Sequence, residues 1–282
     1  MSIIGTPDGR FRHAGRALAA AGLCLMLSAC SLFGGEDEPQ YVERPVEDLY
    51  NTALDAMLIG NNSEAARLFD EVERQHPYST WATKAQLMAA FANYQGNKYD
   101  EAINALDRFI QLHPGHKDIA YAYYLRAISY YEQISDVGRD QKMTRLAFQA
   151  LEEIVRRYPE SRYSRDAALK LDLARDHLAG KQMEIGRFYL SQNEQLAAIN
   201  RFRTVVKDYP TTTHVAEAMH RLVEAYLVLG VTEEAQATAA VLGHNYPGST
   251  WYADSYVLLT GIDLRPEEYQ DSWISRVWKS LI

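Results

Sequence analysis

Cysteine is almost missing from this chain. The two present, Cys24 and Cys30, lie near the N-terminus, so the rest has no internal disulfide framework and no cysteine-ligated zinc site. Basic charge is short as well: 29 Lys and Arg stand against 37 Asp and Glu, a net charge of −8. Residues 1–29 hold three arginines against Asp8, so the remainder carries −10. Such a surface repels phosphate-rich polymers, which argues against a nucleic-acid partner. The pair Arg156-Arg157 reads as a solvated helix face. No P-loop, G-x-G-x-x-G, G-x-S-x-G or H-E-x-x-H motif occurs. His113 and His116 are three apart, but proline and glycine separate them, so they read as turn residues and not as metal ligands. With no nucleophile constellation and no ligand set, the expectation is a non-enzyme without metal or cofactor. Strand patterns are lacking too.

The apolar run "ALAAAGLCLML", residues 17–27, is too short for a permanent membrane span and follows three arginines. It has the form of a signal-peptide core, giving a signal peptide over 1–29. It ends in "LSAC", Leu27 to Cys30, which resembles a bacterial lipobox. That resemblance implies cleavage before Cys30 and lipidation of Cys30, and Ser31 after it implies the outer membrane. Several acyl chains anchor firmly, at about 0.8 kcal/mol per buried methylene. Residues 30–45, rich in Gly, Pro and acid, read as a lipidated flexible tether.

What the chain does have is a repeated turn. "HPYSTWA" at 76–82 is followed by "HPGHKDI", "YPESRYS", "YPTTTHV" and "YPGSTWY". The prolines, Pro77, Pro114, Pro159, Pro210 and Pro247, are 37, 45, 51 and 37 residues apart. Twelve residues before each lies alanine: Ala65, Ala102, Ala147, Ala198 and Ala235. Eight before lie Phe69, Leu106, Leu151, Phe202 and Ala239; five before lie Val72, Phe109, Ile154, Val205 and Leu242. Steps of four and three put these on one helix face. Proline then ends the helix and disfavours helical geometry in the residue before it. Ser79, Ser161 and Thr211 are candidate caps for the helices that follow. The 45-residue spacing predicts a loop at 135–142; the 51-residue spacing predicts one long helix from about 163 to 191.

The pattern resembles the tetratricopeptide repeat. It predicts an all-α, right-handed solenoid of five helix hairpins over 46–260, with halves at 46–159 and 160–260, and an amphipathic tail at 261–282. In such repeats the first helix of each hairpin lines a concave groove. Carried over, that gives Tyr50, Leu54, Leu87, Phe91, Tyr94, Tyr121, Tyr124, Ile128 and Tyr131 in the N-terminal half, an aromatic lining suited to an extended peptide. The C-terminal half is more polar, with Gly180, Met183, Arg187, Leu190, Glu217, His220, Glu224 and Leu227. The competing reading is that these rings pack between helices. In the tail, Trp273 and Trp278 lie on an apolar stripe that either docks on a partner or membrane surface or folds back on the last repeat.

Lipobox, tether and five such repeats, with "ALDRFIQLHP", "GRDQKMTRLAF", "RYPESRYSRDA" and "NRFRTVVKDYP" in this order, resemble the BamD family of lipoproteins of the bacterial β-barrel assembly machine. The resemblance implies a scaffold on the periplasmic face of the outer membrane, anchored there by its lipid. It would receive unfolded outer-membrane proteins by a C-terminal signal, which typically ends in an aromatic residue. It would dock a POTRA domain of BamA through Arg201 and work beside other lipoproteins of the machine. The alternative is another periplasmic repeat lipoprotein, an adaptor for cell-wall hydrolases or the Tol–Pal system.

Overall fold

The computed structural model describes residues 43–281. The signal peptide, Cys30 and most of the tether lie outside the described residues. Among the described residues there are twelve helices and no strand. They are α1 (Val46–Leu58), α2 (Asn62–Gln75), α3 (Thr80–Gln95), α4 (Tyr99–Leu112), α5 (Ile119–Tyr131), α6 (Lys142–Arg157), α7 (Ser164–Ser191), α8 (Gln195–Asp208), α9 (Val215–Val228), α10 (Thr232–Asn245), α11 (Thr250–Thr260) and α12 (Trp273–Leu281). Helices α1 to α11 each pack on their neighbour in sequence, and α1 also touches α3, α3 touches α5, α5 touches α7 and α9 touches α11. First helices stacked on first helices make a helical-repeat solenoid. No helix among the described residues is long and apolar enough to cross a membrane.

The repeated stripe forms the core. All five alanines are fully buried, and so are Phe69, Leu106, Leu151, Phe202 and Ala239 and the third set from Val72 to Leu242. Alanine on α2, α4, α6, α8 and α10 admits the neighbouring helix closely, while the larger side chains one turn later fill the gap.

The aromatic-Pro turns share one geometry. His76, His113, Tyr158, Tyr209 and Tyr246 end their helices with φ between −128° and −132° and ψ between 48° and 57°. The carbonyl of each ring residue accepts a hydrogen bond from the amide three residues on, Ser79, His116, Ser161, Thr212 or Ser249, at 2.9–3.2 Å. Of the expected caps, Ser79 accepts from the Ala82 amide and caps α3. Ser161 accepts from the Tyr163 amide within the turn and does not cap α7, and Thr211 does not cap α9. Ser249 caps α11 instead.

Inside the hairpins the chain turns through the left-handed region. Gly60 and Gly230 have φ of 80° and 75°, and Asn97 and Asn193 have 57° and 60°. Each stands 17 residues before its proline; glycine adopts this geometry freely and asparagine tolerates it. In the third hairpin a loop replaces the tight turn. Gln141 is its hub, buried, with Nε2 donating to the carbonyls of Asp136, Val137 and Arg139 and Oε1 accepting from Thr144. Lys181 of α7 donates to the Gly138 carbonyl at 3.0 Å and pins the loop to the long helix.

The tail folds back on the last repeat, where Trp273 and Trp278 are half-buried. Ile274 is fully buried, and both tryptophans pack on the C-terminal core. The Trp273 amide donates to Glu234 at 2.8 Å, Arg203 lies 4.6 Å from the Trp273 ring, and Trp278 meets Tyr246 edge-on. Gln236 holds the connecting segment by donating to the Arg265 carbonyl. The physical reason is that α10 would otherwise leave its apolar face open at the end of the stack.

One half-buried cation joins three helices. Arg126 of α5 bridges Asp107 of α4 at 2.9 Å and Glu153 of α6 at 2.5 Å, over the Tyr123 ring. Arg126→Ala leaves Asp107 without a cation, leaves Glu153 with Arg157 alone at 3.0 Å, and removes the packing. Breaking a fully buried pair costs about 3–5 kcal/mol, and partial solvent access to Asp107 and Glu153 lowers the expectation to about 2 kcal/mol. Urea unfolding should show a lower midpoint with an unchanged slope.

Candidate peptide groove and docking face

The first helices α3, α5 and α7 carry the aromatic surface. Tyr94 on α3, Tyr121, Tyr124 and Tyr131 on α5, and Tyr163 at the head of α7 are all half-buried and rest on one core cluster with Phe91. Tyr124 and Tyr163 stack with ring centroids 5.1 Å apart, and Tyr121 lies 5.2 Å from Tyr163 on its other edge. The Tyr124 hydroxyl donates to Asp166 at 2.6 Å, and Lys170, one turn further along α7, pairs with the same carboxylate at 2.9 Å and sits 5.8 Å from the Tyr131 ring.

Burial and nearby acids tune these groups in one direction. Burial pushes Tyr121 up to about 12. Burial, then the hydrogen bond to Asp166, raises Tyr124 further. Burial and Glu132 raise Tyr94. The phenols are thus neutral donors at neutral pH, while the bonds from Tyr124 and Lys170 hold Asp166 below the usual carboxylate range and keep it ionised.

The groove continues along α7. A cavity of about 420 Å³ is lined by Tyr131, Glu132, Ile134, Leu173 and His177. A second of about 420 Å³ shares Leu173 and His177 and runs on to Val137, Gly180 and His214. Asp166, Lys170, Leu173 and His177 recur at helical spacing, so one face of α7 forms this wall. Leu173 is 59% exposed, a large apolar side chain held open in a cleft. Beyond it the wall turns ionic: Arg187 grips Glu217 with two bonds of 2.8 and 2.7 Å, and Arg221 pairs with Glu217 and Glu224.

The expected lining residues divide. Phe91, Tyr94, Tyr121, Tyr124 and Tyr131 share the half-buried surface, and Leu54 is half-buried on the N-terminal core. Tyr50, Leu87 and Ile128 are buried and belong to the packing. Tyr50 meets Phe69 at 5.3 Å and Trp81 at 4.9 Å, so its ring is enclosed by neighbouring helices. Met183 and His220 are buried as well; His220 bridges α9 to α11 through Ser255 at 2.9 Å. Leu173 and His177 were missed, because the repeat frame began only at Gly180. Helical spacing onward from Asp166 would have found them.

Arg201 lies on α8, half-exposed, with Nη1 3.3 Å from Gln182 Oε1. It forms no ion pair among the described residues. His113 and His116 flank Phe109, and His113 lies 2.8 Å from Gln86 Oε1.

Several known proteins are similar to this chain in sequence. Residues 42–242 match the family model YfiO, described as outer membrane lipoprotein. The outer membrane protein assembly factor BamD of Caulobacter vibrioides is 50% identical over 252 residues, covering 89% of this chain and 83% of that one. BamD of Rickettsia prowazekii is 43% identical, covering 83% and 92%; BamD of Neisseria meningitidis serogroup A is 32% identical, covering 86% and 95%. A tetratricopeptide protein of Thermus thermophilus aligns at a TM-score of 0.36 and 17% identity over 75% of this chain and 98% of its own, too loosely to add to the repeat geometry. Matched over most of its length by relatives of one name, the chain belongs to the BamD family of outer membrane protein assembly factors.

Proposed function

We propose that this protein is a scaffold for outer-membrane β-barrel assembly, which receives unfolded substrates by their C-terminal segments in the aromatic groove. The observation that carries this reading is the run of half-buried rings from Tyr94 to Tyr131, continued by the exposed Leu173. Flat rings accept varied apolar side chains, and their neutral hydroxyls serve an extended backbone. An unfolded segment loses chain entropy on binding, so the affinity is modest and release is easy. Acyl groups on Cys30 tie the scaffold to the periplasmic face of the outer membrane, beside the other lipoproteins of the machine.

The second face takes a POTRA domain of BamA through Arg201. A guanidinium without a carboxylate of its own is ready to form a paired, charge-assisted contact that lysine does not reproduce in geometry. Loss of one partner of a buried interfacial charge pair costs about 2–5 kcal/mol. Arg201→Glu is expected to abolish co-purification with BamA while circular dichroism and melting of the isolated protein stay unchanged. Equal recovery of BamA by wild type and variant would remove Arg201 from the interface.

A further inference from the structure

Residues 156–165 carry four arginines, Arg156, Arg157, Arg162 and Arg165, against one acid, Glu160, in a chain that is acidic overall. They end α6 and begin α7, and a cavity of about 570 Å³ opens between the two helices. Val155 and Ala168 give it an apolar floor; Ser161, Arg162, Ser164 and Arg165 line it, with Glu160 at its exposed rim.

Several donors at this cavity have no acceptor among the described residues. α7 is 28 residues long and has no side-chain cap at its N-terminus. The acid of its first turn, Asp166, is turned away to Tyr124 and Lys170. The Arg165 and Asp166 amides therefore have no acceptor among the described residues. Ser164 is only 5% exposed, lines the cavity, and its hydroxyl has no hydrogen-bond partner among the described residues. Arg165 forms no ion pair among the described residues. Arg162 rests on the Tyr163 ring at 4.8 Å and donates to its hydroxyl, also without a carboxylate.

We infer that this cavity binds a phosphate group. A helix N-terminus offers backbone N–H groups and the positive end of its dipole to an anion. The Ser164 hydroxyl adds a nearly buried donor, and two guanidinium forks approach from the rim, where bidentate contacts to phosphate oxygens are favoured. Backbone amides, a hydroxyl and guanidinium groups at one cavity give more donors than a planar carboxylate, with two oxygens, takes up, and suit the several oxygens of a phosphate. Glu160 is exposed and free to turn outward, which leaves the local field positive. Arg162 also touches Tyr163 of the aromatic surface, but the inference does not rest on the reading of the groove.

The test is calorimetric titration of the full chain, purified in a non-ionic detergent, with two probes: inorganic phosphate, and glycerophosphoglycerol, the soluble headgroup of an acidic phospholipid. At least one should bind, and Arg162→Gln with Arg165→Gln should weaken it at least tenfold without changing the ligand-free melting temperature. Ser164→Ala, a smaller change, should weaken it severalfold. Tighter binding of the headgroup assigns a lipid as the ligand; tighter binding of inorganic phosphate assigns a free anion. Binding of neither probe, or equal binding by wild type and the double arginine variant, would overturn the inference.

Discussion

Gly186→Ala should lower the melting temperature by about 4–8 °C, although alanine is the better helix former. In an open helix the change stabilises by about 1 kcal/mol. Here a Cβ on Gly186 would stand 2.4 Å from Cε1 and 2.7 Å from Cζ of Phe202. Carbon atoms in favourable contact are about 3.5–4.0 Å apart. Phe202 is fully buried in the C-terminal core, so its ring has nowhere to move unless α7 and α8 separate. Overpacking of this kind costs about 1–3 kcal/mol, and a net loss near 2 kcal/mol is expected after the helix gain. For a domain of this size each kcal/mol is worth about 2–4 °C. Gly248→Ala is the control, since no atom lies within 4 Å of the added methyl; it should leave the melting temperature within about a degree, as surface substitutions usually do. Gly243→Ala is intermediate. Its methyl meets the Tyr252 ring at 2.4 Å, but that ring is partly exposed and turns aside.

The repeat made much of this fold readable from sequence alone. Five copies of one hairpin repeat the same alanine, the same larger residue and the same aromatic-Pro stop, so each copy supports the others. The left-handed turns were half readable: Gly60 and Gly230 announce such a turn, whereas Asn97 and Asn193 look like ordinary polar residues until the backbone angle is seen. Groove positions were harder. Helical spacing tells which side a residue faces, not how far its neighbours close over it, and Tyr50 lies under Trp81 where spacing alone would open it to ligand. Leu173 escaped because α7 is one helix serving two roles. Its first half extends the aromatic wall of the third hairpin, and its second half is the first helix of the fourth. The tail could not be decided from its pattern. An apolar stripe with two tryptophans is the same whether it meets a membrane, a partner or the chain's own core; Ile274 and the Glu234–Trp273 bond belong to the last.

The groove can be disabled without touching the core. Leu173 is mostly exposed, and Tyr131 is half-buried beside it across the same cavity. Leu173→Glu puts a charge where an apolar side chain of the ligand would rest, next to Glu132. Tyr131→Ala removes the facing ring, whose stacking with an aromatic partner is worth about 0.5–1.5 kcal/mol beyond its area. Together they are expected to weaken binding of an extended apolar segment more than tenfold. Circular dichroism and thermal melting should stay near wild type, because neither side chain is fully buried. The decisive measurement is fluorescence anisotropy of a labelled peptide with alternating apolar residues and a C-terminal Phe, titrated with the full chain. Wild type should bind it with modest affinity, the terminal Phe→Glu peptide should bind at least tenfold more weakly, and Leu173→Glu with Tyr131→Ala should lose the preference between the two peptides. A folded double variant that binds both peptides as wild type does would contradict the assignment of this groove to unfolded substrates.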